Sequence, residues 1–86
     1  MFSIQFTKQA QKDAELIKQA NLISNVLELL IILITNPFQS PPEYEKLTGD
    51  LNGLYSRRIN RHHRIWYSVD KKQKTVYIER MWTHYE

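Results

Sequence analysis

Four arginines, Arg57, Arg58, Arg61 and Arg64, fall within one short stretch of this chain. Glu45 precedes them and a His84-Tyr85 pair follows near the end of the sequence. Cations, a carboxylate and an imidazole are the groups that cleavage of a phosphodiester needs. When the 2′-hydroxyl of RNA attacks the adjacent phosphate, a base must take the hydroxyl proton. Cations must offset the charge gathering on the pentavalent phosphate, and an acid must protonate the departing 5′-oxygen. No metal is required for that route. Glu45 suits the base, and Arg64 and Arg58 suit the phosphoryl oxygens. His84 suits the acid, because histidine is the side chain whose unperturbed ionisation lies near neutrality. Tyr85 would position or assist. Each acid or base is typically worth about 10²–10⁴ in rate. Trp66, Trp82 and Tyr85 offer flat surfaces on which unpaired bases stack; packing is the equal alternative for the two tryptophans. His62 and His63 fall in a turn, so they are expected to be solvent-exposed and to take no catalytic part.

Side-chain alternation indicates how these residues are held. Phe2, Ile4 and Phe6 alternate with polar residues, as in a short half-buried strand. Thr7 can cap a helix that runs through Lys8–Ala20, with Ala10, Ala14 and Ile17 on one weakly apolar face. Asn21 interrupts the pattern, and a second helix is expected from about Leu22 to Ile34, ended by Asn36-Pro37. Pro37, Pro41 and Pro42 make 37–43 an irregular connector, and 43–51 reads as a turn or loop pivoting on Gly49. Strand-like runs follow at roughly 54–60, 63–70 and 74–82, joined by a tight turn near Arg61-His62 and by the polar turn 70–73. The order β-α-α-β-β-β points to an α+β domain over residues 1–86, with two N-terminal helices packed on one face of a small antiparallel or mixed sheet.

Parity then sorts the arginines. With Ile65, Tyr67 and Val69 facing the core, Arg64, Trp66 and Ser68 face away. With Tyr55 and Ile59 inward, Ser56 and Arg58 lie opposite, so Arg58 and Arg64 sit side by side on the face away from the helices. Arg57 has the wrong parity for that face and Arg61 lies in the turn; both are expected at edges, contacting phosphate. Val76 and Ile78 look inward. A straight continuation would bury His84, so the last strand should end near Met81 or Trp82 and the tail should bend over the basic face.

Composition narrows the class. At 86 residues one modest core is available. The formal net charge is +3, and the excess positive charge lies after Pro37, since Lys8, Lys12 and Lys18 balance Asp13, Glu15 and Glu28. A basic cluster on one half fits a polyanion, with a solvated strand face as the plain alternative. No cysteine is present, which removes disulfides and thiolate metal sites and suits a reducing cytoplasm. No secretory signal is evident. Neither H-x-x-x-H nor H-E-x-x-H spacing occurs, and the two glycines make no phosphate loop. The run Leu29–Ile34 is apolar on all sides but too short to span a bilayer, which takes about 20 apolar residues. It is expected to face the core on one side and a protein partner on the other. Taken alone, these residues carry the reading as far as an RNA-binding domain with nuclease chemistry within reach.

The run PFQSPPEYEKLTGDLNGLYSRRINRHHRIWYSV, followed by MWTHYE, resembles the Txe/YoeB toxins of bacterial toxin–antitoxin modules, within the wider RelE-like group. The resemblance covers nearly the whole chain and is strongest over Pro37–Val69, where E-x-L…L-x-G-x-x-S-R-R-I-x-x-x-H-R is specific. It implies a small, metal-independent endoribonuclease without a cofactor that cuts mRNA in the ribosomal A site and is held inactive by a cognate antitoxin. It implies Glu45 as general base, Arg64 as the arginine of the transition state, Arg58 as its support, His84 as general acid and Tyr85 as the adjacent terminal tyrosine. Arg57, Arg61, Lys46, Trp66 and Trp82 are the expected RNA contacts. A homodimer is among the assemblies it allows, and no membrane is expected. Three positions depart from the family: Thr48 stands where some relatives carry lysine, with Lys46 or Arg61 as the substitute charge; Trp66 replaces a small aliphatic residue; and Ile31, Ile32 and Ile34 replace polar ones. The competing readings are a non-catalytic basic module that binds RNA or the ribosome and serves its antitoxin, and a structural interaction domain.

Overall fold

The computed structural model describes residues 1–82. Its elements are β1 (Ser3–Phe6), α1 (Lys8–Gln19), α2 (Ile23–Thr35), β2 (Glu45–Lys46), β3 (Tyr55–Arg58), β4 (Arg64–Asp70) and β5 (Thr75–Arg80). The strands form one mixed sheet in the order β1-β5-β4-β3-β2. β1 runs parallel to β5, and the other neighbours are antiparallel.

Local chemistry explains most boundaries. Thr7 accepts a hydrogen bond from the Ala10 amide at 3.0 Å and donates to the Glu79 carbonyl at 3.1 Å, so one hydroxyl both caps α1 and ties it to β5. Asn21 adopts a positive φ of 59°, which an asparagine tolerates, and reverses the chain into α2. Asn60 closes the β3–β4 turn by accepting from the amides of His62 and His63. Asp70 closes the β4–β5 turn by accepting from the amide of Gln73. The strand β5 ends at Arg80, as the burial argument for the tail anticipated.

Both helices cover one face of the sheet. Ala10 and Ile17 of α1 and Val26, Leu29 and Leu33 of α2 pack with Ile59, Ile65, Tyr67, Val76, Ile78 and Met81. This is the inward parity expected of β4 and β5. The outer side of α2 keeps Leu27 and Ile31 exposed, at 53% and 64%, so the apolar run does have one uncovered side. No helix among the described residues is long and apolar enough to cross a membrane.

The 43–51 segment is more ordered than a loop. Glu45 and Lys46 pair with Ser56 and Tyr55, adding β2 as a fifth strand, and Gly49–Leu51 makes one 3-10 turn. Gly49 and Gly53 both take positive φ, 66° and 97°, where a side chain would be strained. They let the chain double back so that Leu47 bonds Leu54 and β2 lies along β3.

Candidate active site

Three antiparallel strands bring Glu45, Arg58 and Arg64 together. β2 sets Glu45 opposite Ser56, and β3 sets Ser56 opposite Trp66 and Arg58 opposite Arg64. Alternation puts Glu45, Ser56, Arg58, Arg64 and Trp66 on the face away from the helices. Directly opposed like charges destabilise a strand pair, so keeping Arg58 against Arg64 makes this a place where an anion is favoured.

Arg64 is buried while Arg58 is exposed. The Arg64 guanidinium donates from Nη1 to Ser56 Oγ at 2.9 Å. Its Nη2 lies 3.5 Å from Glu45 Oε1, a loose ion pair. The Glu45 side chain is 59% exposed, and among the described residues it accepts from Arg64 alone. A cavity of about 200 Å³ opens over this cluster, lined by Pro42, Tyr44, Glu45, Ser56, Arg58 and Arg64 among others. It thus joins an accessible carboxylate, one buried and anchored guanidinium and one exposed guanidinium. That is a proton acceptor beside two cations, a set of groups suited to phosphoryl chemistry.

The other expected residues fall into separate places. Trp66 is half-buried on the same face. Arg61 is exposed in the β3–β4 turn, away from the cavity lining. Lys46 pairs with Tyr55, so it points to the opposite side of the sheet from Glu45 and does not join the cluster. His84 and Tyr85 lie outside the described residues, as does the expected bend of the tail.

Two expectations need correction. Arg57 is not an edge residue; it is buried, with 1% exposure. Its Nε donates to the Tyr67 hydroxyl at 3.0 Å, Nη1 to the Pro42 carbonyl at 2.7 Å, and Nη2 to the carbonyls of Pro37 and Gln39 at 3.0 and 2.8 Å. Inward parity was legible, but the irregular connector that folds over this position was not, and it supplies the acceptors that let a guanidinium be buried. His63 is likewise buried, not solvent-exposed, because its ring stacks on Trp82 with centroids 3.9 Å apart and planes 19° from parallel. His62 is exposed, as expected. The stack shows Trp82 packed against protein, which is the plainer of the two roles foreseen for it.

Ser56 was not singled out as a site residue, though its parity placed it beside Arg58. Its buried hydroxyl orients Arg64. The signal available was the S-R-R string itself: a small hydrogen-bonding residue two positions before the exposed arginine on a strand.

A second buried polar centre lies at the other end of the sheet. Asp13 of α1 accepts from Arg80 Nε at 2.9 Å, from the Met81 amide at 2.9 Å, from the Trp82 amide at 3.3 Å and from Gln9 Nε2 at 3.0 Å. Burial pushes the Asp13 carboxyl up, but the Met81 amide, Arg80, Gln9 and the Trp82 amide together hold it below the ordinary carboxylate value. Burial likewise pushes the Tyr67 hydroxyl up, and Arg57 opposes that shift. Among the described residues no group of three or more acidic, histidine or cysteine side chains could hold a metal ion.

Comparison with known proteins places the chain's family and fold. The family described as the YoeB-like toxin of bacterial type II toxin–antitoxin systems matches residues 6–85. A curated relative, Toxin YoeB of Synechocystis sp., is 36% identical over 59 residues, 69% of this chain and 62% of its own length. The chain thus spans under two thirds of that relative. Among solved structures, the heterotetrameric YoeB–YefM toxin–antitoxin complex from Staphylococcus aureus is 33% identical, with a TM-score of 0.81 and 99% of each chain covered. The YoeB dimer from the same organism is also 33% identical, with a TM-score of 0.81 and 98% of each chain covered. The two-helix, five-strand arrangement is the fold of these proteins.

Proposed function

The chain belongs to the YoeB-like toxins of bacterial type II toxin–antitoxin systems, and from that premise we propose that it is an endoribonuclease that cuts mRNA on the ribosome. The observation that carries the reading is the accessible Glu45 carboxylate held 3.5 Å from a buried Arg64, with Arg58 directly across the strand pair. In this reading Glu45 takes the proton of the 2′-hydroxyl, and the freed oxygen attacks the adjacent phosphorus. Arg64, held by Ser56, and Arg58 meet the charge that develops on the phosphoryl oxygens. As the bond to the 5′-oxygen breaks, that oxygen takes a proton from His84, with Tyr85 beside it. These two roles rest on the terminal motif alone. The products are a 2′,3′-cyclic phosphate and a 5′-hydroxyl. The nucleophile belongs to the substrate and side chains carry both protons, so the reaction proceeds without a metal or cofactor.

So few groups leave the in-line geometry to be supplied by something else. A ribosome that bends the A-site codon fits that need, since orientation contributes roughly 7–11 kcal/mol in favourable cases. Trp66 and Arg61 are then the flanking RNA contacts. A cognate antitoxin keeps the toxin inactive in the cytoplasm, and pairing of toxin copies follows the Staphylococcus aureus assemblies. The uncovered Leu27–Ile31 side of α2 is where a protein partner would gain most apolar contact.

The test is to incubate purified protein with programmed ribosomes and a defined mRNA and to map new 5′ ends by primer extension. Discrete cuts at the A-site codon, absent on naked mRNA, are expected. Ribosome binding without cuts would instead favour a non-catalytic RNA-binding module.

A further inference from the structure

Ser56, Arg57 and Arg58 are consecutive on β3, so their side chains alternate between the two faces. Ser56 fixes Arg64, and Arg58 stands in the open cavity. Arg57 alternates to the other face and is the largest fully buried side chain; it forms part of the wall of the same cavity, yet its hydrogen bonds go to Tyr67, Pro37, Gln39 and Pro42 and none to Glu45, Ser56 or Arg64. Among the described residues no carboxylate lies within ion-pair distance of it. A buried guanidinium without a counter-charge is costly unless its donors are matched by well-placed acceptors.

Those acceptors come almost entirely from one segment. Three of its four hydrogen bonds go to backbone carbonyls of the connector, at Pro37, Gln39 and Pro42. The fourth goes to the Tyr67 hydroxyl, which itself donates to the Pro37 carbonyl at 2.9 Å. The guanidinium carbon also lies 4.8 Å from the centre of the Tyr44 ring. The connector contains Pro37, Pro41 and Pro42, which have no N–H, so it cannot join a ladder of its own. Immediately beyond it comes β2, only two residues long, whose first residue is Glu45. A two-residue strand does not hold its own position.

We propose that Arg57 is a positioning residue for Glu45, resting on the reading of Glu45 as the catalytic base. One planar fork gathers the carbonyls on both sides of the connector. It thereby sets where the chain enters β2, and so the distance from the Glu45 carboxylate to Arg64. Lysine cannot replace it, because an ammonium on a flexible stem lacks the fork that spans three carbonyls.

The experiment is a double-mutant cycle on ribosome-programmed mRNA cleavage, with melting curves to confirm folding. Arg57→Lys should lower the rate at saturating ribosome by about 10²-fold, the scale of a 1 Å misplacement, while the half-saturating ribosome concentration stays unchanged. In a Glu45→Gln background the same substitution should do almost nothing further, since the group it positions is gone. An equal loss in both backgrounds would mean that Arg57 only supports the fold, and would overturn the inference while leaving Glu45 as base. Full activity of Glu45→Gln alone would overturn the functional reading and this inference with it. Tyr67→Phe provides the same cycle where Arg57→Lys fails to fold, because it keeps the ring and removes only the hydroxyl. Its loss should be smaller than that of Arg57→Lys and should also vanish without Glu45, and a loss that persists would again overturn the inference.

Discussion

Two arginine–carboxylate pairs in this molecule are built in opposite ways. In Arg80–Asp13 the carboxylate is the buried partner, at 2% side-chain exposure, and the arginine is 38% exposed. In Arg64–Glu45 the arginine is the buried partner at 8%, and the carboxylate is 59% exposed. The first pair closes to 2.9 Å and the second stands at 3.5 Å. Asp13 accepts from two side-chain and two backbone donors, and its 2% exposure leaves it no access to a substrate proton. Among the described residues Glu45 meets one donor, and its carboxylate lines the cavity. The first arrangement suits a pair that serves the fold; the second, with the cation fixed and the carboxylate left available, suits the chemistry proposed for it.

Substitutions can separate the two. The largest effect belongs to the open pair: Glu45→Gln should reduce mRNA cleavage by about 10²–10⁴-fold. Its melting temperature should stay close to that of the parent, because an exposed ion pair adds little to stability. A melting temperature lowered as far as the activity would break the comparison.

The closed pair should show the reverse. Asp13→Asn should cost about 2–4 kcal/mol in a denaturant titration, with the folded fraction retaining cleavage within about tenfold, less than the loss expected of any acid–base group. The pH dependence has a definite sign. The folded carboxyl is held below its unfolded value of 3.8, so its contribution is present at pH values above that and lost as pH falls through the lower, folded value. The stability gap between parent and Asp13→Asn should therefore narrow in acid, and a gap that widened would contradict the assignment. The smallest effect should come from Arg80→Lys, at about 1 kcal/mol or less after allowing for solvent screening. The amides of Met81 and Trp82 remain on Asp13 in that variant, and the same titration reads the difference.

The same contrast explains what was legible in the sequence. Period-two alternation located Arg58 and Arg64 on one face because β3 and β4 are regular and joined by a short turn, so register follows from parity. It also marked Arg57 as inward. What it did not contain was the acceptor set, since those carbonyls come from a proline-rich stretch whose path depends on the guanidinium it covers. Asp13 appeared only as charge balance for the lysines of α1, because its ion-pair partner is 67 residues away on β5 and long-range ion pairs leave no local pattern. Lys46 was grouped with Glu45 by proximity in sequence, and a two-residue strand was enough to separate them onto opposite faces. His63 was misplaced because a turn position ordinarily faces solvent, and the aromatic lid over it arrives from the far end of the chain. Local order was readable; closure by distant segments was not.

The parallel pairing of β1 with β5 has a consequence for the time at which the protein exists as a folded object. Ser3 aligns with Thr75, so the first strand has no neighbour until the last has been made. At ordinary rates of synthesis that interval is on the order of 4–15 s. For the part of it after Thr35, α1 and α2 have left the peptidyl-transferase centre without the strand that completes their floor, and the apolar side of α2 is joined by a second, uncovered one. Closure over so long a loop also slows folding relative to a local topology. The complete sheet therefore forms only after β5 has been made, and the interval before it is when an apolar-binding partner or chaperone has most surface to hold.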